Sequence, residues 1–275
     1  AGGDLLDIPE CPVLAPPLDA LLRAVRVNLL PVLAATGELR LTAAPGGPSG
    51  TVAARPDGAV PVGLADALDR LVRCGDACHG AVLLHREGAR SFGSPVDHLG
   101  PDRVGHPAGA FVQAHQAGSA ALVAEVVARA GPPGRVLELF AGAGNFTFAL
   151  AAAGHTVVAV EQDARAVAAL GDEARVRGLA DRVTAVRGDA IHLPPGPFDF
   201  ALLDPPRAGA AQVVAALHAT GLRRVIYVAC DPFTQARDVG WLGARGWHLA
   251  AARAYDLFPH TGHVEAWADV RRGAD

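Results

Sequence analysis

A cysteine and a glutamate near the end of the chain have the residue types of a nucleophile and a proton acceptor. Cys230 stands in the sequence VACDP (residues 228–232), where the proline and a following helix predict a position near a helix N-terminus. That position favours the reactive thiolate, whereas Asp231 opposes it unless its side chain points elsewhere. Glu265 closes the sequence FPHTGHVE (residues 258–265) and could act as a general base if partly desolvated. The alternatives are a buried structural cysteine and a solvated carboxylate at a strand end.

A glycine-rich turn after a predicted strand has the composition of a ligand-binding loop. The glycines of ELFAGAGN (residues 138–145) permit a tight turn and let a ligand approach the backbone. The turn lacks the third glycine of a dinucleotide fingerprint. With Glu161 at the end of the next strand, it favours S-adenosylmethionine instead. Glu161 would accept hydrogen bonds from ribose hydroxyls, and Asp189, after the third strand, would lie at the adenine. A plain connecting turn is the alternative.

The sequence LDPPR (residues 203–207) ends the fourth predicted strand of the same region, at the sheet edge where open α/β folds bind ligands. Its two prolines stiffen the loop and hold Asp204 towards the cleft. Enzymes that methylate amino groups place an aromatic residue after such a pair, and cytosine carbon-5 enzymes place a cysteine near it. Arg207 stands here instead, so the loop argues against both chemistries.

These four segments need a sheet that brings strand ends together, and the hydrophobic pattern predicts one. From residue 118 onward apolar strands alternate with helices, which is typical of a mostly parallel sheet covered on both faces. The predicted strands are 135–139, 155–160, 183–186, 198–203, 223–228, 247–258 and 263–270, and the predicted helices include 118–130 and 163–177.

The front of the chain mixes short strands with many turn-forming residues. Apolar residues at helical spacing predict an amphipathic helix over residues 16–35. We therefore expect a small α+β domain over residues 1–110 and an α/β domain over residues 111–275. The other elements predicted in the small domain are strands at 39–43, 50–55 and 80–85 and a helix at 64–72.

The four segments, in this order, resemble the RNA uracil carbon-5 methyltransferase family. The sequence FVQ (residues 111–113) is similar to the family's glutamine motif, and CPVLAP (residues 11–16) is similar to its bacterial 23S ribosomal RNA branch. The resemblance implies a class I S-adenosylmethionine-dependent methyltransferase fold, Rossmann-like with a seven-stranded sheet, after a small RNA-facing region. It implies Cys230 as the nucleophile that adds to uracil carbon 6 and Glu265 as the base that removes the carbon-5 proton. The residues implied to contact the methyl donor are Gln113, Phe140, Asn145, Glu161 and Asp204.

The resemblance also carries departures. Phe140 replaces a more usual tyrosine, and Ala229 and Asp231 replace the common serine and asparagine beside the cysteine. Relatives often carry an N-terminal RNA-binding barrel and an iron–sulfur cluster bound by four cysteines. Cys11 is similar to the fourth cluster ligand, but the other three would precede the first residue shown, so no cluster is expected in this chain. The implied partner is RNA, most closely 23S ribosomal RNA, with the target uridine unpaired or flipped out.

Composition bounds these interpretations. The chain has 275 residues and a formal net charge of −4, without any lysine or methionine. The absent initiator methionine predicts that the sequence begins inside a longer product. We find no secretory signal and no apolar run long enough for a bilayer span, and expect a cytoplasmic protein.

Two other functions remain open: a methyltransferase of this fold for transfer RNA or a small molecule, and a catalytically weakened RNA-binding relative. A face of exposed arginines could bind phosphates: Arg207, Arg237, Arg253, Arg271 and Arg272.

Overall fold

The computed structural model describes residues 11–33, 37–100, 102–113, 115–258 and 261–273. These residues divide into two units. The first comprises the described residues up to His98 together with Pro107–Gly109, and the second comprises the described residues of Leu99–His106 and of Ala110 onward. The chain passes between the units within two short strands, β5 (Val96–Leu99) and β6 (Val104–Pro107), and once more after Gly109.

The first unit begins with helix α1 (Pro16–Asn28), which has prolines in its first turn, where their missing N–H groups need no partner. It buries Leu21 and Val25. The hydrophobic pattern predicted a helix as far as residue 35, but α1 ends at Asn28 and a short 3₁₀ turn (Leu30–Val32) follows. The prediction was too long because Pro31 cannot continue the α-helical hydrogen bonding.

A four-stranded sheet and a second helix complete the first unit. The outer pairs of the sheet are antiparallel, and its central pair is parallel. The strand β4 was not predicted, because Phe92 is its only buried residue and the rest of its side chains face solvent. The elements are β1 (Gly37–Ala43), β2 (Gly50–Pro56), α2 (Leu64–Cys74), β3 (Cys78–His85) and β4 (Gly88–Gly93).

The second unit is built on a seven-stranded sheet in the order β12-β13-β11-β10-β7-β8-β9. Five strands are parallel, and β13 runs antiparallel to both of its neighbours. This topology confirms the predicted α/β fold. The remaining elements are β5 (Val96–Leu99), β6 (Val104–Pro107), α3 (Gln116–Ala130), β7 (Arg135–Leu139), α4 (Thr147–Ala152), β8 (Thr156–Glu161), α5 (Ala164–Val176), β9 (Val183–Arg187), β10 (Phe200–Leu203), α6 (Ala211–Ala219), β11 (Arg224–Ala229), α7 (Pro232–Gly243), β12 (Trp247–Tyr255) and β13 (Glu265–Arg272).

The central strands are apolar on both faces because each face packs into its own hydrophobic core. Val136 and Leu202 belong to one core, whereas Leu137 and Leu203, their neighbours along the chain, belong to the other. This alternation follows from the two-residue period of a strand. A sheet buried on both faces leaves only its edges free to present polar side chains.

The carboxyl edge of this sheet collects the segments singled out in the sequence. The turns after β7, β8, β9, β10 and β11 all leave the sheet at this edge, because these strands are parallel. The strand β13 runs in the opposite direction and pairs its Ala266 with Ala229 at the end of β11. Glu265 therefore starts its strand at the same edge at which Cys230 follows its own.

Candidate active site

A cavity of about 510 Å³ lies at the carboxyl edge of the second unit's sheet. Its volume falls within the range of small-molecule sites. All eight residues expected to form the site lie on its wall: Gln113, Phe140, Asn145, Glu161, Asp189, Asp204, Cys230 and Glu265. Seven stretches of the chain, far apart in sequence, thus contribute to one site.

The turn after β7 is held in a conformation that few side chains adopt. Phe140 has a φ of 63°, in the left-handed region where a bulky residue is strained. Gly144 has a φ of 104°, and a Cβ atom at this position would lie 2.5 Å from the Phe148 ring. The N–H of Gly142 donates to the Glu161 carboxylate at 2.9 Å. The end of β8 therefore fixes the turn after β7.

Glu161 and Asp189 are acidic groups oriented by backbone donors. Besides Gly142, the N–H groups of Gln162 and Asp163 donate to Glu161, at 2.7 and 2.8 Å. Asp189 accepts one hydrogen bond, from the Ile191 N–H at 3.1 Å. A carboxylate has about four acceptor positions. Both groups therefore keep acceptor capacity for hydroxyl or amino groups of a ligand.

Two further carboxyl groups lie deeper and hold protons at neutral pH. Burial raises the pKa of Asp204 to about 8, and the charge of Glu265 adds to the effect. Burial also raises the pKa of Glu138 to about 8, although a hydrogen bond of 2.6 Å from the Thr147 hydroxyl opposes the rise. The raised pKa of Glu138 was not predicted, because the sequence does not reveal how deeply the end of β7 is buried.

Glu265 is a buried carboxylate without a well-formed hydrogen bond or ion pair among the described residues. It is 1% exposed, and neither of its carboxylate oxygens has a hydrogen-bond partner of normal geometry among the described residues. Burial raises its pKa, although interactions with the Gln113 side chain and the Arg207 charge lower it. A carboxylate with a raised pKa is a suitable proton acceptor near neutral pH.

The thiol of Cys230 is partly exposed to the cavity, at the start of α7. Asp231 caps this helix, because its side chain accepts hydrogen bonds from the N–H groups of Phe233 and Thr234 at 2.9 and 3.1 Å. The side chain thus points to the helix and not to the thiol. Cys230 lies near a helix N-terminus as predicted, but the expectation that its pKa is lowered there is wrong. Burial, followed by the charge of Glu265, raises the pKa of Cys230, and Arg207 opposes the rise.

Unpaired polar atoms at the cavity indicate that it suits a polar ligand. Asn145 Nδ2 and Gln113 Oε1 are buried and have no hydrogen-bond partner in the part of the chain that the structure describes. A buried polar group left unpaired costs about 1–3 kcal/mol. A ligand that supplied an acceptor to Asn145 and a donor to Gln113 would remove that cost.

Arg207 joins the site, although the sequence indicated only a role at phosphates. It lies on the cavity wall and influences both Cys230 and Glu265. One of its Nη atoms lies 3.4 Å from Nε2 of His263, whose ring packs edge-on against Phe258. His260, grouped with His263 in the sequence motif, lies outside the described residues. The position of Arg207 directly after the two prolines was the available signal.

Three of the other arginines expected to bind phosphates are committed elsewhere. Arg237 pairs with Asp238, Arg253 with Glu125 and Arg271 with Asp269. These ion pairs weaken the expectation of a continuous phosphate-binding face.

Comparisons with known proteins show what the chain is similar to. The family model described as "Methyltransferase small domain" matches residues 103–223. The chain is 41% identical over 171 residues to the 23S rRNA (uracil(1939)-C(5))-methyltransferase RlmD of Acidithiobacillus ferrooxidans, covering 59% of this chain and 39% of that protein. It is 34% identical to the RlmD of Pectobacterium atrosepticum over 281 residues, covering 96% of this chain and 61% of that protein. The chain thus spans about two to three fifths of these relatives' length.

Solved structures show the fold. The structure of the Pyrococcus abyssi tRNA (uracil-54, C5)-methyltransferase in complex with S-adenosyl-L-homocysteine superposes with a TM-score of 0.73 and 21% identity, covering 97% of this chain and 70% of that one. The M. jannaschii tRNA m1G37 methyltransferase superposes with a TM-score of 0.58 and 12% identity, covering 94% and 80%.

The helices give one further finding: in the described ranges, none is both long and apolar enough to cross a bilayer. The sequence relatives are named as members of the family that the motifs indicated, and the solved structures share the fold of this chain. The chain therefore resembles the RNA uracil carbon-5 methyltransferase family in sequence, and it has the fold of an S-adenosylmethionine-dependent methyltransferase.

Proposed function

We propose that the chain methylates carbon 5 of a uridine in RNA, with S-adenosylmethionine as the methyl donor. The observation that carries the proposal is that Cys230 and Glu265 lie on the wall of the same cavity as the glycine-rich turn after β7. Relatives named for 23S rRNA support ribosomal RNA as the substrate. By the same resemblance, the domain of residues 1–110 faces the RNA.

The residues at the cavity fit the methyl donor. Glu161 and Asp189 offer acceptors at the ends of neighbouring strands, which suits the ribose hydroxyls and the adenine amino group. The unpaired amide atoms of Asn145 and Gln113 suit the amino-acid portion. When bound, S-adenosylmethionine supplies a methyl group on a positively charged sulfur. That positive charge would favour the ionised forms of Asp204 and Glu265.

Cys230 and Glu265 have complementary tasks in this reaction. Uracil carbon 5 is a poor nucleophile until the Cys230 thiolate adds to carbon 6, which creates an enolate with electron density on carbon 5. Carbon 5 then bonds to the methyl group, whose bond to the sulfonium sulfur breaks and leaves its electron pair on that sulfur. Glu265 next takes the proton from the same carbon. The electron pair of that C–H bond re-forms the C5–C6 double bond, the C6–S bond breaks, and the thiolate leaves.

The position of the thiol sets a requirement on the RNA. Cys230 lies on the wall of a cavity, which a base stacked and paired in a helix cannot enter. The uridine must therefore be unpaired or flipped out of its stack, at a cost of a few kcal/mol. We expect the preferred substrate to present its uridine in a loop.

Trapping on RNA that contains 5-fluorouridine tests the proposal. Fluorine at carbon 5 cannot leave as a cation, so the ring stays bonded to the cysteine after methyl transfer. A 23S rRNA fragment carrying this base should give a protein–RNA adduct that survives a denaturing gel. Cys230→Ala should give no adduct. Its affinity for S-adenosylmethionine should stay within about threefold of that of wild type, because the thiol does not contact the methyl donor.

The matched control is Cys74→Ala, since Cys74 is an exposed free thiol of the first unit. This variant should form the adduct as wild type does. A folded wild-type protein that binds the methyl donor and forms no adduct with either ribosomal or transfer RNA would contradict the proposal. A preference for the transfer RNA transcript would keep the reaction and reject the ribosomal substrate.

A further inference from the structure

The loop between β10 and α6, residues 205–210, brings a positive charge to the thiol. Four ionisable groups bear on Cys230 or lie beside it. Glu265, from β13, and Asp204, from the end of β10, raise its pKa, whereas the Arg207 guanidinium lowers it through a hydrogen bond and its charge. Asp231 is turned to the first amides of α7. Among the described residues that act on the thiol, Arg207 is the only cation.

A buried carboxylate on α7 holds this loop. Asp238 is 1% exposed, and its Oδ2 accepts hydrogen bonds from the Ala210 N–H at 2.7 Å and from the Tyr227 hydroxyl at 2.8 Å. Arg237 donates to Asp238 Oδ1 at 2.9 Å and to the Ala208 carbonyl at 3.0 Å. Two residues of one helix thus bind two backbone groups of the loop.

Arg237 and Asp238 together form a clamp on the loop, and the loop is shaped to fit it. Gly209 has a φ of 80°, and a Cβ atom there would lie 2.6 Å from an Arg237 Nη atom and 2.7 Å from Asp238 Oδ2. The space between loop and helix is therefore filled by the clamp itself. The helix is fixed in turn, because the buried Gln235 amide donates to the Tyr227 carbonyl of β11 at 2.7 Å.

We infer that Asp238 is a positioning residue that holds the loop of residues 205–210 so that Arg207 faces the Cys230 thiol. Asp238 acts on the nucleophile only through Arg207. Its hydrogen bonds with Tyr227 and Ala210 fix the end of the loop where α6 begins. Without them the loop would move, and the Arg207 guanidinium would turn away from the thiol. The consequence for methylation rests on the proposed function, but the state of the thiol can be measured without RNA or methyl donor.

The test is the pH profile of Cys230 alkylation by iodoacetamide in the full chain. Peptide mass spectrometry follows Cys230 separately from Cys11, Cys74 and Cys78. Arg207→Met should raise the apparent pKa and slow alkylation near pH 7.5 by about tenfold, the effect of one pKa unit on the thiolate fraction. Asp238→Asn should shift the profile in the same direction, with a rate loss of about threefold, and Arg207→Lys should retain part of the wild-type rate.

The double variant Arg207→Met/Asp238→Asn should match Arg207→Met alone, because Asp238 acts through Arg207. The matched control is Asp269→Asn, since Asp269 is equally buried and paired with arginines but has no hydrogen bond to the loop. It should lower stability and leave the profile unchanged. If Asp238→Asn does not fold, Arg237→Met, which removes the bond to Ala208, should shift the profile in the same direction.

An unchanged profile in folded Asp238→Asn, or a full further shift on the Arg207→Met background, would overturn the inference. These outcomes are independent of the adduct test on RNA. Loss of the adduct with an intact Arg207 effect contradicts the proposed function, whereas a normal adduct with no Asp238 effect contradicts only the clamp.

Discussion

Strand β13 carries two buried carboxylates in opposite surroundings. Asp269 is 0% exposed and accepts hydrogen bonds from Arg224 and Arg271. Glu265, four residues earlier, is 1% exposed and has no such partner in the described chain. Burial raises the pKa of Glu265. Burial also acts to raise the pKa of Asp269, but the bonds from Arg271 and Arg224 outweigh it and lower the pKa.

The two positions differ in what burial achieves. At Asp269 the charge is matched, so the carboxylate ties β13 to β11 through Arg224. At Glu265 the charge is left unmatched beside a cavity that also holds Cys230. An uncompensated buried carboxylate lowers stability, and such groups concentrate where a shifted pKa is needed for chemistry. The comparison separates a structural carboxylate from a candidate catalytic one on the same strand.

The largest expected effect is on stability. Asp269→Asn should lower the free energy of unfolding by about 2–4 kcal/mol, because it leaves two arginines facing a neutral amide. Glu265→Gln should stay within about 1 kcal/mol of wild type or become more stable, because it removes an unmatched buried charge. Urea denaturation of both variants measures the difference. Equal losses in the two variants would break the distinction.

The second effect concerns the pH dependence of stability at Asp204. Its pKa is about 8 in the folded chain and 3.8 ordinarily, so the folded state binds the extra proton and stability falls as pH rises through this window. Asp269 has the opposite sign, since its contribution is lost as pH falls through its lowered pKa. Asp204→Asn should therefore raise the Tm near pH 8 by several degrees and change it little near pH 4.

The control for this measurement is Asp172→Asn, because the Asp172 side chain is 70% exposed. This variant should leave the Tm close to that of wild type at both pH values. A pH-independent difference for Asp204→Asn would show that this carboxyl group is not titrating with a raised pKa.

The smallest effect is on the thiol. The charge of Glu265 is one cause of the raised pKa of Cys230, so Glu265→Gln should lower that pKa. Alkylation of Cys230 near pH 7.5 should become about three- to tenfold faster. Glu161→Gln is the control, because Glu161 lies on the same cavity wall but is not among the groups that act on the thiol. Equal acceleration in both variants would contradict a specific Cys230–Glu265 interaction.

Much of the fold was predictable because its central strands are short apolar runs between turn-forming residues. The prediction of residues 135–139 coincides with β7. The helix α6 was not predicted, because its Ala- and Val-rich sequence has neither a capping side chain nor a strong apolar stripe. The edge strand β4 was missed because its residues are mostly exposed.

The site was predictable at the level of residue identity and not at the level of electrostatics. Sequence motifs marked the strand ends, and parallel strands bring such ends together. The direction of the Asp231 side chain depends on the cap of α7, and the pKa of Cys230 depends on how much water and charge surround it. The clamp of Asp238 on the Arg207 loop joins residues about 30 positions apart through backbone groups, for which side-chain patterns give no signal.

The most direct measurement is the fate of RNA on Glu265→Gln with S-adenosylmethionine and an unmodified uridine. If Glu265 removes the carbon-5 proton from an intermediate bonded to Cys230, this variant should accumulate a covalent protein–RNA species that carries the methyl group and should release almost no 5-methyluridine. Adding Cys230→Ala should abolish that species. Release of 5-methyluridine by Glu265→Gln at the wild-type rate, with no covalent species, would contradict the account.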